Sequence, residues 1–410
     1  MGTYWWLQIN LIVLASLLFC SVSMQPCLNS TTQFPIEFNF YHNGSASDIY
    51  ETRDILVDSN INQYMFYSPD ADHQNVHLTK INSNGTFEWS KEYPGLIILP
   101  EYQVTQMSNN ETSIRLIGAT SAGIGQLAEI ATSDGTLNIA TQFSTLEITT
   151  TSYASTLKCS RNTDSLWFFN WQGSSGSDHK VCKADFTNLS TINYADPDNT
   201  NLRMSTIDAL DDENFIVGGF DSESTPHKHV FYSSNISATS MNWAVQADAL
   251  EDYYTITSRR LYYSYINDAS TKYVWSTQLS TTFIVFVFYP SNGSLIEAKQ
   301  LGYDSSFTNP KIDANGRISD NKIVHSIKVA STSRCFVTFI NIDTWELKSF
   351  YAEGSIRLKG LSSLFSTDQI FMAFIYSPNY FTMRAAYDKL NYTELFKPME
   401  NTIEDVTLTF

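Results

Sequence analysis

Residues 76–95, VHLTKINSNGTFEWSKEYPG, hold two runs of alternating apolar and polar residues joined by Asn84-Gly85. Alternation around Asn-Gly is the strongest local signal for a β-hairpin, because the turn needs positive φ angles that Asn and Gly accept most readily. The pattern recurs. A polar turn precedes an aromatic-rich strand at Asp58-Ser59-Asn60, Asn109-Asn110-Glu111, Asn162-Thr163-Asp164, Asp211-Asp212-Glu213-Asn214, Asn267-Asp268, Ser319-Asp320-Asn321 and Thr367-Asp368. A second turn keeps step with it, at Asn84-Gly85, Asp134-Gly135, Thr187-Asn188, Ser234-Asn235, Asn292-Gly293, Asp343-Thr344 and Lys389-Leu390-Asn391. Successive turns lie about 50 residues apart, a period that belongs to repeat architectures.

Each unit therefore reads as four short strands, here A to D, with turns joining A to B and C to D and a loop joining B to C. The content of 26 Phe and 23 Tyr favours strands over helices. Seven such units in one register predict an all-β fold, a single seven-bladed β-propeller of four-stranded antiparallel blades. A β-sandwich would not keep this register for seven cycles. The expected blades are residues 46–95, 96–144, 145–198, 199–248, 249–303, 304–354 and 355–399, with no linker between any two, so 46–399 is one domain. The flanks 34–44 and 403–410 also look like strands, and either could close the ring. The arm 24–45 thus carries a candidate closing strand, and 400–410 is expected to be a strand or tail.

The first unit resembles the bacterial β-propeller repeat of the SBBP type on Leu78, Lys80, Ile81, Gly85, Trp89 and Gly95. Later units keep single features of it, Trp243 and Gly293. Such repeats specify a fold and carry no catalytic residues, so the resemblance implies architecture alone.

The N-terminus has an apolar stretch of roughly 15 residues over 5–20, short for a membrane span and followed by Ser21 and Ser23. It reads as a secretory signal, residues 1–23. Its n-region lacks Lys and Arg, so the alternative is an uncleaved anchor, and membrane association is expected only in that case. The expected location is extracellular or the secretory lumen. Removing the signal leaves Cys27, Cys159, Cys182 and Cys335, an even number with three pairings open. If Cys159 and Cys182 sit on strands A and C, about 10 Å apart, they form either a strained bridge near the strand ends or two buried free thiols; Cys27 could separately staple the N-terminal arm to Cys335. Eight Asn-x-Ser/Thr sequons fit secretion: Asn29, Asn43, Asn84, Asn110, Asn188, Asn235, Asn292 and Asn391. Six of them fall in A–B or C–D turns, which share one face of a propeller.

The B–C loops of the opposite face collect Asp72, His73, His179, His227 and His229. Histidine with carboxylate can hold a divalent metal or exchange protons, which makes these five the candidate metal ligands. Polar loops accumulate such residues without chemistry, and nothing in the sequence brings three different units together. Other catalytic patterns are absent. Ser133-Asp134-Gly135-Thr136 misses the sialidase Asp-box spacing, and there is no Gly-x-Ser-x-Gly, His-Glu-x-x-His or phosphate loop. No cofactor is expected.

Forty-two acidic against 25 basic side chains give a net charge of −17, which repels nucleic acid and anionic lipid. The expected function is a secreted or surface-associated, N-glycosylated, monomeric scaffold that binds a protein or glycan ligand on its B–C-loop face. The alternative is a propeller hydrolase or lyase acting on glycans through carboxylates and histidines of that face.

Overall fold

A computed structural model describes residues 36–38, 51–68, 75–94, 96, 105–119, 124–147, 158–159, 165–172, 178–185, 188–195, 202–221, 228–237, 240–247, 262–279, 282–302, 310–329, 334–352, 356–364, 369–376, 379–386, 397–399 and 402–405. Every element is a β-strand except the turns, and the strands form seven antiparallel sheets. Sheet I is Glu51–Val57, Gln63–Ser68, Asn75–Ile81 and Phe87–Pro94. Sheet II is Thr105–Met107, Ser113–Ala119, Ile124–Ala131 and Leu137–Glu147. Sheet III is Lys158–Cys159, Leu166–Gln172, Asp178–Asp185 and Asn188–Ala195. Sheet IV is Leu202–Ala209, Asn214–Asp221, Lys228–Asn235 and Met241–Ala247. Sheet V is Tyr262–Ile266, Tyr273–Leu279, Thr282–Phe288 and Leu295–Gly302. Sheet VI is Pro310–Ser319, Lys322–Val329, Arg334–Asn341 and Leu347–Ala352. Sheet VII takes Ile356–Leu364, Gln369–Tyr376 and Asn379–Ala386 from the last unit.

The fourth strand of sheet VII is Ile36–Phe38, paired antiparallel with Asn379–Ala386 through Ile36–Thr382 and Phe38–Tyr380. The N-terminal flank therefore completes the last sheet. The expected end of blade 355–399 is revised: Lys397–Met399 is a fifth strand on the outer edge of sheet VI, and the expected C–D turn at Asn391 lies outside the described residues. Thr402–Asp405 then adds a fifth strand to sheet V. Pairing between segments this far apart in sequence is decided by tertiary packing, which leaves no trace in a local pattern.

Contacts between neighbouring sheets run through their inner strands. Strand A of sheet I touches strand A of sheets II and VII, and strand A of sheet V touches strand A of sheets IV and VI. Strand A of sheet VI also touches that of sheet VII, while strand B of sheet III meets strand D of sheet II and strand A of sheet IV. The arrangement is an all-β propeller. Its core lies between sheets and explains the composition. In Thr282–Phe288 every residue after Thr282 is buried. Phe283, Val285 and Val287 pack toward sheet VI, while Ile284, Phe286 and Phe288 pack toward sheet IV. A strand covered on both faces reads as one apolar run, whereas strand D of sheet I, exposed at most positions, does not. Each large side chain buried in this way contributes about 1.5–3 kcal/mol.

Candidate functional site

The A–B and C–D turns meet at one end of the sheets, and most of the described polar groups gather there. Three A–B turns share one geometry. The N–H groups of Ile61, Glu111 and Ser270 donate to the carbonyls of Asp58, Ser108 and Asn267, each at 2.9 Å. All three residues are left-handed, with φ of 67°, 58° and 53°. The first side chain of each turn replaces the missing ladder bonds. Asp58 accepts from the Asn60 and Asn62 amides and from Tyr64 Oη at 2.9 Å, while Asn267 Oδ1 accepts from the Thr271 and Lys272 amides. Burial first, and then the Asp58 charge, push the Tyr64 phenol far above its ordinary pKa, so it stays a donor.

The two turns of a sheet are tied together. Thr132 N–H donates to Thr112 O at 3.0 Å in sheet II, Ile236 N–H to Glu213 O at 2.9 Å in sheet IV, and Ile342 N–H to Asn321 O at 2.8 Å in sheet VI. Neighbouring sheets are tied as well. Ser59 N–H donates to both Glu111 carboxylate oxygens at 3.0 Å, joining sheets I and II. Lys183 Nζ donates to Asp212 O, joining III and IV. Between V and VI, Arg317 pairs with Asp268 and Asp320, Tyr265 Oη donates to Asp320 O at 3.1 Å, and Lys272 pairs with Asp343. The hydrogen bond from Lys272 holds the Asp343 carboxyl below its ordinary pKa, although partial burial opposes it. Among the described residues, polar ties on the turn face thus join sheet I to II, III to IV and V to VI.

A tryptophan contact runs through it. Trp89, on strand D of sheet I, lies under Gly135 in the C–D turn of sheet II, and Tyr93 Oη donates to Gly135 O at 2.7 Å. Trp243, on strand D of sheet IV, lies under Gly293 of sheet V and donates from Nε1 to Pro290 O at 2.9 Å. Both glycines have positive φ, and a Cβ on either would stand 2.8 Å or less from the indole. Trp89 thus packs on the turn of the next unit as well as beside Tyr64 of its own sheet. The signal lay in a Trp of one unit recurring in step with the Gly of the following turn.

The sequons of this face occupy tight Asx turns. The side-chain oxygens of Asn84, Asn110 and Asn292 accept from the amides of Thr86, Thr112 and Ser294 at 3.0, 3.2 and 2.9 Å, and all three residues are exposed. Asn235 is half-buried, and its Nδ2 donates toward Glu213 and Asn214. Asn188 begins strand D of sheet III. Asn29, Asn43 and Asn391 lie outside the described residues.

Of the candidate metal ligands, Asp72, His73 and His227 also lie outside them, as do all the B–C loops, and His179 is placed only as a backbone position on strand C of sheet III. His229 is not in a loop. It sits on strand C of sheet IV, 1% exposed, with its ring 5.1 Å from Trp275 and 5.3 Å from Phe286 of sheet V. Burial lowers its pKa to about 3. His325, not singled out from the sequence, mirrors it on the other side of sheet V. It is fully buried, stacked 5.6 Å from Phe283, and burial lowers its pKa to about 4. Its alternation with Ile323 and Ile327 was the available signal. No three His, Cys, Asp or Glu side chains among the described residues are grouped to hold a metal. Cys182 and Cys335 are both buried, the latter with Sγ 3.5 Å from Ser326 Oγ, whereas Cys27 is outside the described residues and Cys159 is placed by its backbone alone. No described helix is long and apolar enough to cross a membrane.

Solved structures share the all-β propeller fold. The chain is similar to the β-propeller domain of Cps50 (Swd1) from Myceliophteria thermophila, with TM-score 0.54 and 6% identity over 85% of this chain and 98% of that one. The β-propeller domain of the Trilobed protease from Pyrococcus furiosus matches with TM-score 0.51 and 8% identity over 85% and 97%. Prolyl oligopeptidase B from Galerina marginata matches with TM-score 0.51 and 10% identity over 87% of this chain and 52% of that one. At these identities the likeness concerns the fold. No family model and no curated protein matches the sequence.

Proposed function

We propose that the chain is a secreted or surface-associated N-glycosylated propeller of seven blades, closed into one ring by Ile36–Phe38, and that it binds a protein or glycan ligand through its B–C-loop face without catalysing a reaction. The contacts that lead from each sheet to the next and from sheet VII back to sheet I support the ring. The observation that carries the functional reading is the state of the turn face. Its hydrogen-bonding groups are spent on neighbouring turns, and Asn84, Asn110 and Asn292 stand exposed on it. Glycans there would keep partners off that end and leave the opposite end to them. The net charge of −17 favours a ligand that is neutral or basic.

The test is expression of the whole chain in eukaryotic cells, followed by N-terminal sequencing and glycopeptide mass spectrometry. The reading predicts a mature chain beginning near residue 24 with glycans at Asn84, Asn110 and Asn292. A chain beginning at Met1 and bare at all three sequons contradicts it.

A further inference from the structure

The outer edges of the sheets are treated in two ways. In sheets I, II and IV strand D is the last strand among the described residues, and the large apolar side chain that opens it is bare: Phe87 is 50% exposed, Leu137 42% and Met241 42%. In sheets V and VI the corresponding edges carry the chain's own C-terminal segment. That segment does more than add backbone bonds. Met399 from the edge of sheet VI and Ile403 from the edge of sheet V both pack onto the single apolar cluster between these sheets, beside Trp345 and Tyr351. Lys299 of sheet V pairs with Asp405, and this hydrogen bond is the largest cause raising the Lys299 pKa. The seated strand is short, and Lys397, Pro398, Glu404 and Asp405 are exposed.

We infer that the paired edges of sheets V and VI form an acceptor site for an extended partner peptide of apolar and acidic character, and that Lys397–Met399 and Thr402–Asp405 occupy it in cis. The elements of recognition are two strand-D edges that accept an added strand, an apolar seam that takes one side chain from each added strand, and a lysine at the end that receives a carboxylate. Strand addition of this kind draws affinity from main-chain bonds and specificity from alternate side chains. Pro398 fits such a strand, because proline is tolerated where one side of the ladder is open. A tethered occupant works at an effective concentration of about 1 mM, so a partner of equal intrinsic affinity of about 10 μM meets a site weakened about 100-fold. The tail sets the threshold that a partner must overcome.

The probe is a fluorescent peptide of residues 397–410, tested on the full chain and on a full chain whose own tail is released by Met399→Asp with Ile403→Asp. The released chain is expected to bind it with micromolar affinity and the intact chain about 100-fold more weakly. A peptide carrying Asp405→Lys should lose affinity for the released chain and regain it on a released chain carrying Lys299→Glu. A folded released chain that ignores the peptide overturns the proposal, as does binding unaffected by the charge reversal. If the double variant does not fold, Ile403→Ala takes its place and must bind between the two extremes. Dimers of the intact chain that grow with concentration and vanish in the released chain would identify the occupant as a second copy's tail, and that too overturns the partner-peptide reading.

Discussion

The seams between sheets I and II and between V and VI solve one packing problem with exchanged parts. In the first, strand D carries the indole of Trp89 and the next turn carries Gly135. In the second, Glu297 holds the Trp89 position on strand D: each pairs with strand C immediately after the bulge that follows the C–D turn. The turn residue is now Trp345, left-handed at φ 57°, with its N–H on Asn341 O as Gly135 N–H is on Ala131 O. Trp345 Nε1 donates to Glu297 at 2.6 Å, and Lys299 lies over the indole at 5.6 Å. The seam between IV and V follows the first pattern. What is kept is one indole between a strand and the next turn; which element supplies it is free, provided the turn residue tolerates positive φ. Supplying it from the turn leaves a large residue in a conformation that favours glycine, at about 1–3 kcal/mol.

The comparison can be broken at several points. The largest effect is expected from acid, and only around sheet V, where His229 and His325 are buried on its two sides. Their folded pKa values, about 3 and about 4, lie below the ordinary 6.5. The unfolded chain therefore takes up protons first, so their stabilisation is intact above pH 6.5 and falls away as the pH drops toward 4. The loss is on the order of 3 kcal/mol for each. Hydrogen exchange should show strands of sheet V opening at pH 5 while those of sheet I stay protected, and His325→Phe should remove part of that sensitivity. Equal opening of both sheets would refute the assignment.

Next come the turn glycines. Gly135→Ala and Gly293→Ala each combine positive-φ strain with a Cβ driven into an indole, at about 3 kcal/mol in denaturant unfolding. Trp345→Gly, at the equivalent turn position, relieves strain while losing an indole, and a net loss of about 1 kcal/mol is expected. If Gly135→Ala proves as mild, the indole does not fill that space. The smallest effect concerns the A–B turn of sheet I. Ile61 is β-branched at φ 67° but packs on Ile55, so Ile61→Gly trades relieved strain for lost packing and should move the midpoint by less than about 1 kcal/mol.

Much of the local structure was legible because the turns are chemically marked. The strands Gln63–Ser68, Ser113–Ala119 and Gln369–Tyr376 begin and end where polar turns and aromatic alternation place them. Ile36–Phe38 was legible as a strand and as one of two candidates to close the ring, whereas Thr402–Asp405 was legible as a strand but not in its partner, since an edge accepts any extended segment that fits its packing. His229 read as part of a polar loop because its neighbours His227 and Lys228 are polar, yet the strand turns its ring into an aromatic seam. The seam itself was invisible within one unit, because Trp89 and Gly135 belong to successive repeats.

The central claim is that an indole held between strand D and the next turn locks the neighbouring blades at the I–II, IV–V and V–VI seams, with the donor element interchangeable. The direct measurement is a double-mutant cycle in the full chain with Trp345→Gly, Glu297→Trp and the pair, which rebuilds the V–VI seam in the pattern of I–II. The account predicts that each single variant is destabilised and that the pair recovers at least about 1 kcal/mol beyond their sum. Strict additivity of the two losses would contradict it.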